Sequence, residues 1–392
     1  MRIAFDAKRA YQNGTGLGHY SRTLISSLAT DFPQHDYFLC APKLTDRFDV
    51  SSFTNIQNVT PKSLLSKMLS SAWRSSWVKS DLKEMDIDIY HGLSNEIPRS
   101  INKTQIKSIV TIHDLIFERY PEQYKKIDVQ IYRQKFKYAC QNADVVIAIS
   151  QQTKEDIIRF YNIPESKIVI CYQSCIPAFA TRVSEEEKQR IKAVYNLPEK
   201  FYLYVGSIIE RKNLLNICKA LSLLEKNGNR IPLVAIGDGD YYKQQVKQYI
   251  KSAGLEQQVI FLSEKEQLKS LHSFVTAKDF PAIYQQALCM VYPSFFEGFG
   301  IPVLEALWSK IPVITSNVSC LPETGGDAAF YVNPASPEEI AEALKAISTD
   351  AAMVETMVEK GSRHALKFTP EKCAADVMQV YLRLNDGLYN RH

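Results

Sequence analysis

Short apolar runs alternate with stretches of helical periodicity along nearly the whole chain, a pattern that predicts parallel sheets with crossover helices. In the first half, strands are predicted at Ile3–Asp6, Tyr37–Ala41, Ile87–His91, Ile109–His113 and Val145–Ser150, with amphipathic helices such as Tyr20–Ala29 and Ile131–Cys140 between them. A second series predicts strands at Phe201–Val205, Pro232–Ile236, Val259–Leu262, Met290–Pro293 and Val313–Thr315. Its helices fall at Leu214–Glu225, Tyr241–Ala253, Val303–Trp308 and Pro337–Ile347. Between the two series, Ile176–Pro198 changes character: Pro177, the charged run Glu185–Lys188 and Leu197-Pro198 predict the domain connection there. The fold class expected is therefore α/β, with two Rossmann-like doubly wound domains, residues 1–180 and 199–370, facing across a cleft.

Composition narrows this picture without redirecting it. The 392 residues exceed one ordinary core and fit two domains of roughly 150–200 residues, and 45% hydrophobic against 23% charged residues is normal for a folded protein. A net charge of +4, with no Lys/Arg stripe interleaved with aromatics, gives no reason to expect a nucleic-acid partner. No apolar leader and no run near the ~20 residues of a membrane span is visible. The eight cysteines are scattered, without a CxxC pair, as expected of buried thiols in a reducing compartment. A cytoplasmic protein is the expectation.

Four segments carry candidate chemistry. The loop after the first strand holds Gly14, Gly16 and Gly18 before a helix starting near His19 and Tyr20, where backbone and helix dipole can meet an anion. An unliganded turn would read the same. His113-Asp114 ends a strand, with His91 ending its predicted neighbour, so both are expected on one sheet edge. Arg211 and Lys212 precede the helix at Leu214, where cations oppose the dipole unless they hold an anion. The most informative segment is VYPSFFEGFGIPVLEAL, Val291 to Leu307. Pro302 suits a helix start, Glu305 lies about one turn inside, and Glu297 sits on the loop before it. A carboxylate there can cap the helix or accept two hydrogen bonds from vicinal hydroxyls. The amides of Phe299, Gly300 and Ile301 are placed to meet a diphosphate.

Together these residues resemble the retaining GT-B glycosyltransferases of family four, over essentially the whole chain. The loop Gly14–Tyr20, His113-Asp114 and the Ser150 turn are similar to the family's first domain. GSIIERKN, Gly237-Asp238-Gly239, the E-x7-E pair and SCLPETGGDAAFYV are similar to its donor domain. The resemblance implies a nucleotide diphosphate sugar as donor. Arg211 and Lys212 would neutralise its diphosphate with Gly16, Phe299 and Gly300 nearby, Glu305 would bind ribose, and Glu297 and His113 would contact the sugar. It implies no cofactor and no bound metal, retention by front-face displacement, and a C-terminal helix, 371–388, returning to the first domain. Two departures stand out. Ser207 occupies the place where many relatives carry Arg, and residues 263–273 form an apparent surface insertion.

The resemblance also implies hexose transfer, mannose first and GDP-mannose ahead of UDP-hexoses, to a glycan or lipid-linked acceptor in cell-surface polysaccharide synthesis. A non-catalytic nucleotide-sugar binder and a GT-B hydrolase or epimerase remain open. Residues 62–79, with Trp73, Trp77, Lys62, Lys67, Arg74 and Lys79, predict either a basic amphipathic helix at the inner membrane face or a helix with its apolar side in the core.

Overall fold

Among the described residues, thirteen strands form two wholly parallel sheets. The first contains β1 (Arg2–Asp6), β2 (Asp36–Cys40), β3 (Ile56–Val59), β4 (Ile89–Gly92), β5 (Lys107–Ile112), β6 (Val145–Ala148) and β7 (Ile168–Ile170), in the order β3-β2-β1-β4-β5-β6-β7. The second contains β8 (Tyr202–Val205), β9 (Leu233–Ile236), β10 (Val259–Phe261), β11 (Cys289–Tyr292), β12 (Val313–Ser316) and β13 (Phe330–Val332), in the order β10-β9-β8-β11-β12-β13. The computed structural model describes residues 1–226 and 228–389. It divides into two units, Met1–Cys175 with the chain from Phe368 onward, and Ile176–Lys367.

In each sheet the winding reverses beside the first strand, between β1 and β4 and between β8 and β11. Ligands of doubly wound sheets bind outside the carboxyl ends of the strands at such a switch. The loops that matter are thus those after β1, β4, β8 and β11. Every strand beside a switch is a nearly continuous apolar run, as burial on both faces requires. β3, β7 and β13, absent from the sequence expectation, are all sheet edges of three or four residues. β3 shows why: in IQNV only Val59 is buried, so an edge strand carries little apolar signal.

The expected connection at Ile176–Pro198 is corrected. A turn at Pro177–Ala180 and a helix at Glu185–Tyr195 belong to the second unit, with Phe179, Ile191 and Tyr195 buried. The charged run is the first turn of that helix. Ser184 accepts the Glu187 N–H at 3.2 Å, and Glu185–Glu187 complement the dipole. Residues 263–273, expected as a surface insertion, lie largely at the surface and are anchored by Leu268 and by polar contacts. Leu262 and Leu268 are buried, Lys265 Nζ donates to the Tyr195 carbonyl at 2.7 Å, and Asp279 accepts from Tyr195 at 2.8 Å and Ser273 at 2.6 Å.

The last helix, Pro370–Asn385, is capped by Thr369 and packs on helix Gly16–Asp31 in the first unit. It buries Ala374, Val377, Met378, Tyr381 and Leu384, and the larger of these contribute about 1.5–3 kcal/mol each. Lys107 Nζ donates to the carbonyls of Leu384 and Asn385, a cation at the negative end of the dipole. Residues 62–79 break into short helices Leu64–Met68 and Ser70–Ala72, a wide turn at Trp73–Trp77 and the start of a helix at Val78. Trp73 is core, donating to Asp81 at 2.6 Å, and Arg74 is held by Asp6 at 2.6 Å, so the segment is not one continuous basic helix. No helix among the described residues is long and apolar enough to cross a membrane.

Candidate active site

The loops after β8 and β11 bring Arg211, Lys212 and Glu297 into one cluster at the switch point of the second sheet. Arg211 and Lys212 lie in a tight turn, Glu210–Lys212, ended by Asn213 in the left-handed conformation at φ 64°. The Asn213 amide holds the carbonyls of Pro293 and Pro334 at 2.9 and 2.7 Å, which fixes the turn against the loop after β11. Arg211 Nη1 then reaches Glu297 Oε1 at 2.9 Å and also donates to the Phe296 carbonyl. Lys212 Nζ donates to the Tyr292 hydroxyl at 2.7 Å, and that hydroxyl donates to Glu297 Oε1 at 2.8 Å. Ser294 adds a third hydrogen bond to the same oxygen at 2.9 Å, and Lys212 Nζ itself lies 3.8 Å from it. Lys212 lies tightly against Gly206: a Cβ there would stand 3.1 Å from its Nζ.

Burial pushes the Glu297 carboxyl up, but Lys212, Arg211 and the hydroxyls of Tyr292 and Ser294 overcome this and hold it below the usual carboxylate range. Burial lowers Lys212, and Glu297 offsets part of that. Glu297 is therefore an anion held between Arg211 and Lys212. A buried pair of this kind contributes little net stability, because desolvation cancels much of the attraction. What it does supply is two preorganised cations at a switch point.

Glu305 sits on the helix Ile301–Trp308, whose N-cap is Gly300 at φ 94°. A side chain at position 300 would meet Leu321 at 2.7 Å, so glycine is needed for both conformation and space. Tyr284 donates to Glu305 Oε2 at 2.7 Å. Burial raises the Glu305 carboxyl to about 7, with Tyr284 and Lys212 pulling it down. Lys212 thus acts on both carboxylates. The amides of Gly300 and Ile301 open the helix, where no intrahelical acceptor exists. Phe299 precedes them, its carbonyl held by Thr324 of helix Leu321–Gly325. Ser319 and Cys320, just before that helix, bond the N–H and carbonyl of Glu297 at 3.1 Å each. Tyr292, Ser294, Ser319, Cys320, Thr324 and Tyr284 were not singled out from sequence. The first two lie inside VYPSFFEGFG, where strand-end hydroxyls next to a glutamate were the available signal.

The other two expected site residues, His113 and Gly16, belong to the first unit. His113 follows β5 and donates from Nε2 to the Leu93 carbonyl at 2.8 Å, while Asn95 accepts its N–H. Burial lowers it to about 4, partly offset by the Leu93 bond, so it is a neutral imidazole. The expectation that His91 shares its edge role is corrected. His91 is buried within β4 between Tyr381 at 2.6 Å and Thr111 at 2.8 Å, and it ties the last helix to the sheet. Gly16 starts helix Gly16–Asp31, and a Cβ there would meet nothing within 4 Å. No cluster of three or more metal-ligating side chains occurs among the described residues.

Residues 184–364 match the family model for glycosyl transferases group 1, and residues 14–174 match that for glycosyltransferase family 4. The chain is a family-four glycosyltransferase. Among its relatives, O-antigen chain mannosyltransferase B of Escherichia coli is 26% identical over 97% of this chain and 99% of that protein. O-antigen chain mannosyltransferase RfbU of Salmonella typhimurium is 27% identical over 86% and 89%. Among solved structures, sucrose-phosphate synthase from Thermosynechococcus elongatus superposes with a TM-score of 0.74 at 19% identity, covering 99% of this chain and 100% of that one. Anabaena HepE in complex with UDP and glucose gives 0.70 at 14% identity, covering 97% and 99%. At these identities the structural matches speak to the fold, which is the GT-B pairing of two Rossmann-like domains. In this glycosyltransferase the E-x7-E pair and the Arg-Lys turn occupy one switch point, beside the N-terminus of helix Ile301–Trp308.

Proposed function

We propose that this glycosyltransferase moves a hexose, mannose first, from a nucleotide diphosphate sugar to a glycan or lipid-linked acceptor in cell-surface polysaccharide synthesis. The observation that carries the reading is the Glu297 carboxylate held by Arg211 and Lys212 at the β8/β11 switch. Arg211, Lys212 and the amides near Phe299 and Gly300 take the diphosphate, with Gly16 as a further backbone contact. Glu305 takes the ribose hydroxyls, Glu297 the sugar hydroxyls, and His113 contributes a neutral polar contact to the sugar. Charge developing on the leaving diphosphate falls on the two cations, so transfer needs no metal cofactor. Front-face departure assisted by that diphosphate retains the anomeric configuration. The mannosyl choice and the acceptor class follow the two O-antigen relatives, whose names carry both.

Incubation with GDP-mannose and a mannose-terminated glycan should release GDP only when the glycan is present, with an α-linked product by NMR. Release into water alone would instead favour a hydrolase, and inversion at the anomeric carbon would remove the retaining mechanism.

A cytoplasmic protein resting on the inner membrane face is favoured by one specific feature. Leu64, Leu65 and Met68 are 76%, 61% and 75% exposed, with Leu69 and Trp77 also exposed and Lys67 among them. That apolar ridge, rather than the buried Trp73, is the surface an anionic bilayer would meet. Leu65→Gln with Met68→Gln should abolish co-sedimentation with phosphatidylglycerol liposomes, and unchanged sedimentation would remove the idea.

A further inference from the structure

We infer that Ser319 is a positioning residue for sugar transfer, its hydroxyl setting where the Glu297 backbone, and with it the carboxylate, stands. The inference deepens the transferase reading above and rests on it, because it takes Glu297 as the group that meets the donor sugar.

Between the end of β11 at Tyr292 and the helix starting at Ile301 the chain has no regular structure. Side chains of one neighbouring segment hold much of its course. Thr315 and Ser316, at the end of β12, donate to the carbonyls of Tyr292, at 2.9 Å, and Ser294. Thr324, on the helix Leu321–Gly325, donates to the carbonyl of Phe299. Between these two anchors Ser319 Oγ accepts the Glu297 N–H at 3.1 Å, and Cys320 Sγ donates to the Glu297 carbonyl at 3.1 Å. The Ser319 hydroxyl also donates to Cys320 Sγ at 3.9 Å, which joins the two contacts. Both backbone groups of Glu297 are thus held from positions 319 and 320. Its carboxylate is fixed at the other end, on Oε1, by Arg211 at 2.9 Å, Tyr292 at 2.8 Å and Ser294 at 2.9 Å. With both ends held, Glu297 has one placement.

Ser319 does this from an unfavourable backbone. Its φ is 55°, in the left-handed region, where a Cβ crowds the following carbonyl and glycine fits without that penalty. A glycine would relax the turn and leave the Glu297 N–H without its acceptor. Strain held next to a residue of the reaction points to a function for the side chain that carries it.

Two variants separate the hydroxyl from the fold. Ser319→Gly removes the acceptor and relieves the backbone; Ser319→Ala removes the acceptor and keeps the strain. With GDP-mannose and a mannose-terminated glycan, both should lose about 10- to 100-fold in kcat, the scale of a reacting group displaced by about 1 Å. The Kd for GDP should stay within about twofold of wild type, since Arg211, Lys212 and Glu305 are untouched. A role in the fold alone predicts that activity follows melting temperature, with Ser319→Gly near wild type in kcat. That result overturns the inference. In a Glu297→Gln background, adding Ser319→Gly should cost less than about a further twofold, because the hydroxyl acts through Glu297. A full second loss also defeats it.

Amide hydrogen exchange gives a readout without turnover. Residues 293–300 should exchange faster in both variants while β8 does not change. Unaltered exchange in that loop sinks the inference whatever the kinetics. If Glu297→Gln loses turnover and Ser319→Gly does not, this inference alone fails. If Glu297→Gln turns over like wild type, the role of Glu297 on the sugar fails first and takes this inference with it. Failure of wild type to transfer from GDP-mannose would retire the donor choice, and loop exchange would still decide whether Ser319 holds Glu297.

Discussion

The two switch points gather cations in opposite ways. After β8 and β11, Arg211 and Lys212 converge on an internal carboxylate, with Glu297 accepting every contact on Oε1. After β1 and β4 the balance is reversed: one cation, Arg74, lies between two carboxylates, Asp6 at 2.6 Å and Glu96 at 3.2 Å, and Lys135 reaches Glu96 at 3.3 Å. The first arrangement leaves more cation than carboxylate; in the second, each carboxylate is met by a cation of the chain. The same residue types therefore give one centre in which two cations share a carboxylate and another in which two carboxylates share an arginine. Removing Glu297 should consequently leave two buried cations unpaired at the first, and removing Arg74 a buried carboxylate, Asp6, at the second.

The largest expected effect comes from breaking the compensated cluster. Glu297→Ala leaves Arg211 and Lys212 buried without their carboxylate, which should cost about 3–5 kcal/mol of stability. Melting should show this directly, and saturating GDP should restore part of it by supplying negative charge. Transfer should fall by roughly 100- to 1,000-fold if Glu297 acts on the sugar in the transition state. A variant that melts and turns over like wild type would remove Glu297 from both roles. Lys212→Met comes next. It deletes the cation that acts on both glutamates, and donor KM should rise about 10- to 100-fold, the effect of losing a charge-assisted contact worth about 1.5–3 kcal/mol. An unchanged donor KM would mean that Arg211 alone carries the diphosphate.

Much of this contrast was legible in the chain. Strands of the sheet interior announced themselves as apolar runs, and the E-x7-E segment marked the donor-side loop because Gly300 and Pro302 encode a helix start. Edge strands were not legible, since three or four half-exposed residues such as Ile56–Val59 carry no clear period. The charged run at Glu185 looked like a linker because acidic residues in a helix's first turn and acidic residues in a solvated loop read alike. Pairing was the least legible of all. Nothing local says that Arg74 crosses to Asp6, 68 positions away, rather than lying on a basic helix face. Nor does anything local say that Arg211 meets Glu297, since both belong to loops joined only when β8 pairs with β11.

A smaller effect tests how the donor-side centre is tuned. Glu305 rises to about 7 on burial from an ordinary 4.5, so it is largely neutral below neutrality. Between 4.5 and about 7 the folded protein holds a proton that the unfolded chain has released, so stability should fall as pH rises through that window and level off above it. Ribose hydroxyls need the carboxylate, so donor KM should fall as pH rises through about 7. Tyr284→Phe deletes a bond that favours the anion at 2.7 Å. Its KM transition should therefore move to higher pH, with a loss of about fivefold near neutrality, or roughly 1 kcal/mol. A pH profile that does not move would make Tyr284 a packing residue only.

The smallest effect is the one that sharpens the contrast most. Among the described residues no carboxylate lies within ion-pair distance of Arg9 or Arg47, so Arg9→Gln and Arg47→Gln leave no ion pair broken. The unliganded protein should keep its melting temperature or gain a few tenths of a kcal/mol, the scale of exposed like-charge repulsion. That gain should shrink in 0.5 M salt, because the Debye length falls to about 4 Å there and the repulsion it relieves is already screened. If either substitution instead destabilises the unliganded protein as Glu297→Ala does, a compensating anion from the chain itself must lie at the β1 loop, and the two switch points would share one design after all.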